Sequence, residues 1–171
     1  MAIRVIAIPR VTWQMFREVG SIPDTTEEAQ VNPELPAVSN IRPERTPGGK
    51  FRLPSFALNV RLNPADTLVV RGANKTDALL KHEQGHYDLL VLVARAWARE
   101  LESLEAGSVA ELGQQLAASQ QTHADRATAL DAEYDKQTDH SRKSDVQQQW
   151  DAAIAAALAS PRADTIQNFQ L

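Results

Sequence analysis

Residues 79–90 read Leu79-Leu80-Lys81-His82-Glu83-Gln84-Gly85-His86-Tyr87-Asp88-Leu89-Leu90 and contain the pattern H-E-x-x-H. Residues four apart on a helix stand one above the other. His82 and His86 therefore turn both imidazoles toward one point, within the roughly 2.0–2.1 Å at which zinc takes an imidazole nitrogen. Glu83 is rotated around the helix and sets a carboxylate beside that point, placed to take a proton from a water that the ion activates. A helix is expected because Leu79, Leu90, Val93, Trp97, Leu101 and Leu104 keep a spacing compatible with one helical face. That puts the ligands on the buried stripe. Two packed histidines with an incidental glutamate are the plainer reading, but burying Glu83 without a cation costs several kcal/mol or forces its protonation. The motif supplies two ligands and a base, so a third ligand has to come from elsewhere.

Reading downstream, Gly107 ends the metal helix, and Ser108-Val109-Ala110-Glu111 is a capping box that opens a second one. So short a connection makes an antiparallel helical hairpin. Counting back roughly 30 Å from Gly107 brings the returning helix level with His86 near residues 128–132. The segment that arrives there is 131–140. Within it His140 is the best third ligand, because it lies past the level point where the chain can turn inward; Asp135 comes next and Glu133 last. His123 shares the apolar stripe with Leu112, Leu116, Leu130 and Tyr134, falls about 7 Å short of the site, and is read as packed. A final helix over 146–159, capped by Asp145 and stopped by Ser160-Pro161, carries Trp150, Ile154 and Leu158 and no evident chemistry. The tail, 162–171, either docks or frays.

Reading upstream, the β-branched run 2–8 is a strand that ends at Pro9, and Thr12 is expected to cap a short helix over 13–19. The segment 21–50 holds Pro23, Pro33, Pro36, Pro43 and Pro47, so regular structure should be sparse there. Ordered coil is its default reading, and a wall over a cleft is the functional one. Alternation over 56–62, a reversal at Asn63-Pro64-Ala65-Asp66 and the run 67–71 predict a β-hairpin, whose edge would offer an extended peptide a strand to join. Asn74 or Thr76 should cap the metal helix. The fold expected is α+β, with a small antiparallel sheet in the N-terminal half packed on the long helical hairpin plus a C-terminal helix. It is read as one domain over 1–171, β-rich over 1–73 and helical over 74–160, with a tail over 161–171.

The 171 residues suffice for one packed core. A net charge of −4 argues against nucleic acid as a partner. The absence of cysteine excludes thiolate ligands and a cysteine nucleophile. No stretch approaches a membrane span, and residues 3–8 are too short for the core of a signal peptide. The chain as written would be cytoplasmic, or secreted or periplasmic if a signal has been removed.

The block His82-Glu83-Gln84-Gly85-His86-Tyr87-Asp88-Leu89, with Tyr134-Asp135, Thr138, His140 and Gln149-Trp150 downstream, resembles a bacterial family catalogued as domain of unknown function 922 and described as predicted secreted zinc-dependent proteases. The resemblance implies a zincin-like site: His82 and His86 as zinc ligands, Glu83 as base, and a third ligand from 134–140. In that family the downstream histidine is usually followed by glycine, where this chain has Ser141. The reaction expected is hydrolysis of a peptide or protein substrate, with His140 completing the zinc site, Tyr134 donating to the developing oxyanion, and Asp135, if not a ligand, holding a ligand histidine's tautomer. Two rivals stand beside it: an inactive binding module with a structural metal, and a metal-dependent hydrolase of another amide.

Overall fold

In the computed structural model, which describes residues 2–24 and 26–171, a central helix α1 (Asp77–Ser103) is followed by α2 (Val109–Thr138) and α3 (Ser144–Ala159). Thr76 is the N-cap of α1, its hydroxyl accepting from Leu79 N–H. Ser108 caps α2 by accepting from Glu111 N–H, and Glu111 reaches back to Gly107 N–H. α1 ends at Ser103, earlier than Gly107, because Glu105–Ala106 leaves the helix to pair with Phe51–Arg52. α3 begins at Ser144, so Asp145 lies in its first turn, where a carboxylate favours the helix dipole, and is not its cap.

α1 belongs to all three apolar clusters found among the described residues. Leu89, Leu92, Val93 and Ala96 pack on Leu130, Tyr134, Trp150 and Ile154 of the other two helices. Tyr87, Leu90, Val91 and Ala94 meet Val11, Phe16, Val60 and Val69. Trp97, Ala98 and Leu101 meet Ile3, Leu53, Leu58 and Leu112. A helix buried on every side is held from every side, and this one carries the H-E-x-x-H motif. The tail docks: Thr165–Ile166 pairs with Phe169–Gln170, and Leu171 is buried in the cluster between the helices.

The strands depart from expectation. Among the described residues they form five sheets of two or three short strands, where a single antiparallel sheet was expected. Arg4–Ile6 pairs in parallel with Ala57–Asn59, and Pro33–Glu34 pairs with Arg61–Leu62. Leu68–Val70 is flanked on one side by Arg17–Val19, in parallel, and on the other by Ala29–Gln30. The predicted hairpin over 56–71 is thus not formed: the chain does reverse at Asn63, but each arm takes partners from the N-terminal segment. The unbroken apolar run Leu68-Val69-Val70 suits a strand covered on both faces with a neighbour on each edge. The helix expected over 13–19 is likewise replaced by a single 3₁₀ turn, Trp13–Met15, and the strand Arg17–Val19. Seven residues without a side-chain cap cannot offset helix nucleation, while Arg17 N–H has Thr67 O to bond.

Candidate metal centre

α2 runs back along α1, and the level point falls where the helix rise puts it, with Asp131 against His86 and Asp135 against His82. Asp135 Oδ1 lies 3.1 Å from His82 Nε2 and 2.9 Å from His86 Nε2, and the two Nε2 atoms are 3.2 Å apart. Three donor atoms therefore form a nearly equilateral triangle. Its edges are close to the roughly 3.3 Å that separates ligands in a tetrahedron with zinc-like bond lengths. The second nitrogen of each imidazole is also held. His86 Nδ1 donates to Asp131 Oδ1 at 2.6 Å, and His82 Nδ1 to Gln147 Oε1 at 3.0 Å, which leaves both Nε2 atoms to face one point. Two histidines and a carboxylate of this geometry could hold a metal ion.

Tyr134 forms the floor beneath the ligands. Its ring stacks on His82 at 4.8 Å and meets His86 edge-on, and Trp150 packs behind it. Its hydroxyl accepts from Gln147 Nε2 at 2.6 Å and donates to the His82 carbonyl at 3.3 Å. Burial pushes the phenol well above its ordinary pKa. The oxyanion role expected for Tyr134 is corrected by this placement, since the hydroxyl points into the junction of the three helices and away from the cleft. The same contact explains Gly85, inside the motif: a Cβ there would lie 2.7 Å from Tyr134 Cζ. The close approach of α2 to α1 needs a residue without a side chain.

Glu83 is only 2% exposed, and Val31 N–H donates to its Oε2 at 2.7 Å. Burial raises its pKa to about 7, against the lowering pull of His86 and the Val31 amide. Asp135 behaves in the opposite way. Burial would raise it, but hydrogen bonds from His82 and His86 hold it well below the carboxylate range. Burial likewise depresses His86, and the bonds to Asp131 and Asp135 outweigh that and raise it well above its ordinary value. Without metal the cluster is thus held by protons shared between His86 and the carboxylates, which a divalent cation would displace.

His140 is not at a corner of the triangle. Asp139, His140 and Ser141 all have positive φ, at 51°, 50° and 70°, and this left-handed run turns the chain back on itself. It brings His140 Nδ1 to 2.9 Å from Glu27 Oε1 and 3.5 Å from Asp135 Oδ1. The expected ligand order is therefore revised: Asp135 completes the triangle, and His140 stands behind it in a second group with Asp24 and Glu27. Ser141, at the position where the resemblance places glycine, has one of these positive φ values. Glu133 turns away to Lys136 and Gln137, and His123 is packed with its Nδ1 on Ser119 O.

Above the ligands opens a cleft of about 850 Å³. The proline-rich segment is its wall: Pro23, Asp24 and the residues from Thr26 to Asn32 line it with Glu83 and the histidines, and Val31 bonds Glu83 directly. Three residues at the site went unassigned by sequence. Asp131 was legible as the residue four before Asp135, matching the histidine spacing in reverse. Gln147 is a polar residue on the buried stripe of α3, three and seven before Trp150 and Ile154, and that anomaly is a signal. Glu27 carries none, because its position depends on how an irregular segment folds over the helix.

The model of the family described as "Bacterial protein of unknown function (DUF922)" matches residues 49–141, just over half of the chain. The match takes in His82, Glu83, His86, Asp131, Asp135 and His140 and stops short of Gln147. No curated protein and no solved structure matches the chain.

Proposed function

The chain belongs to the DUF922 family, and we propose that it is a zinc-dependent metallopeptidase with a zincin-like site, in which His82, His86 and Asp135 hold the ion and Glu83 is the general base. The observation that carries this reading is the convergence of three ligand atoms with a buried carboxylate one residue along the same helix, all lining one cleft. Zinc in such a site polarises a carbonyl and makes water a stronger acid. Glu83, raised to about 7, takes the proton of the attacking water near neutrality and returns it to the leaving amine. Val31 N–H holds one carboxylate oxygen and leaves the other for that exchange. Asp131 and Gln147 fix the ring orientations, and Tyr134 keeps the two rings apart from the core below.

Glu83→Gln keeps the ligand set and removes the base. Full zinc content with loss of turnover on an unfolded protein substrate is the expected outcome, and unchanged turnover refutes the assignment. The nearness of His140 to Asp135 favours one rival, a closed structural site with four protein ligands and no place for water. Spectroscopy of the cobalt-substituted protein separates the two, since an open site responds to added azide and a closed one does not. A peptidase and a hydrolase of another amide are separated by a substrate screen.

A further inference from the structure

We propose that Asp24, Glu27 and His140 form a second divalent-cation site, of the zinc or manganese kind, beside the first and bordered by the same Asp135 carboxylate. It rests on the metallopeptidase reading only in taking Asp135 as a ligand of the first ion. One donor atom from each of the three residues lies within 4.8 Å of the other two. They come from two elements far apart in sequence, the proline-rich wall and the turn after α2, and both are built to bring them there. The left-handed run at 139–141 carries His140 toward the wall, and the Arg142 guanidinium ties that turn to the Thr26 carbonyl. Asp24 is oriented by Thr26, whose N–H and hydroxyl both donate to Oδ1.

Two independent observations indicate that a cation belongs there. His140 Nδ1 is buried and has no hydrogen-bond partner among the described residues, although Glu27 Oε1 is only 2.9 Å away. The nitrogen and the oxygen are close but not aimed at each other, as two donors to a common ion are. The second observation is charge. Among the described residues, Asp24, Glu27, Glu28, Glu83, Asp131 and Asp135 line the cleft against one guanidinium, that of Arg142, and the protonated His86 imidazole. Glu27 has no Lys or Arg partner among them and faces Asp135. One divalent ion at the histidine pair displaces the proton of His86 and leaves Glu27 facing Asp135, and carboxylates crowded in this way are held together by a retained proton or by a cation. Two carboxylates and an imidazole make a donor set for Zn²⁺ or Mn²⁺, and neighbouring ions about 3.5–4 Å apart are a known arrangement in hydrolases.

The experiment is a titration of the full chain, freed of metal by chelator, with Zn²⁺ and separately with Mn²⁺. Bound metal is counted after equilibrium dialysis and affinity is read by calorimetry. Two equivalents of Zn²⁺ are expected, the second at least tenfold weaker. Asp24→Asn and Glu27→Gln should each abolish only the weaker equivalent, and His82→Ala the tighter. Asp24 is exposed, so its variant keeps the fold, which circular dichroism verifies. The proposal is overturned by a single equivalent in the wild type, by a second equivalent that survives both acidic-residue variants, or by a His140→Ala variant that loses the tight ion and so places His140 in the first site. Failure of the metallopeptidase reading looks different: no ion bound at all, or turnover that survives Glu83→Gln.

Discussion

Glu83 is buried with no Lys or Arg among the described residues as its partner in an ion pair, and in the metal-free protein that should be measurable as pH-dependent stability. A carboxyl raised from its ordinary 4.5 to about 7 keeps its proton in the folded chain after the unfolded chain has released it. Between those values the folded state holds more protons, so stability falls as pH rises and levels off above 7. At about 1.4 kcal/mol per pH unit the full decline is on the order of 3 kcal/mol, most of which falls between pH 5 and pH 8. Gln at this position keeps the shape and an oxygen for Val31 N–H, but it has no proton to lose. Urea unfolding of the chelated wild type and of Glu83→Gln at both pH values isolates the effect. His86, raised by Asp131 and Asp135 against its own burial, also loses stabilisation as pH rises, but it does so in both proteins. The wild type should lose about 2–3 kcal/mol more than the variant over that interval. A difference below about 0.5 kcal/mol would show that Glu83 does not sit in a dry environment, and the general-base role would lose its basis.

Gly85→Ala gains about 1 kcal/mol of helix propensity but drives a methyl group into Tyr134, so a net loss of about 1–2 kcal/mol is expected by thermal melting, together with weaker zinc binding. Tyr134→Phe does not rescue it, because the ring carbon stands in the way as well as the hydroxyl. Asp131→Asn takes the charge from the partner of His86 Nδ1 and should weaken zinc about 10- to 100-fold by calorimetry while leaving the metal-free fold intact.

How much of this was legible depends on whether a residue's position follows from the helix carrying it. His82, Glu83 and His86 were placed by a spacing of four on one helix, and Asp131 and Asp135 answer with the same spacing on a helix running the other way. Capping at Thr76 and Ser108 was readable for the same local reason. His140 lay beyond that reach. Its position is set by three successive left-handed residues; Asp and His enter that region more readily than most residues, but nothing in Asp139-His140-Ser141 announces three in succession. The small sheets were misread because their strands are two or three residues long and take partners from distant segments, while periodicity reports only which residues alternate.

The proline-rich segment shows what the absence of regular structure supplies. A long strand over α1 would have covered Glu83 with a sheet and closed the cleft; short pieces interrupted by Pro23, Pro33 and Pro36 bend around it. They leave Val31 N–H free to bond the Glu83 carboxylate and bring Glu27 beside Asp135. α1, packed on all sides, cannot itself open, so access to the ligands is governed by this segment and by the turn after α2. These two elements are joined by the bond from Arg142 to the Thr26 carbonyl, beside which His140 and Glu27 approach each other. On the reading proposed above, a cation between His140 and Glu27 would also set the width of the entrance, so that the second site and access to the first become one problem.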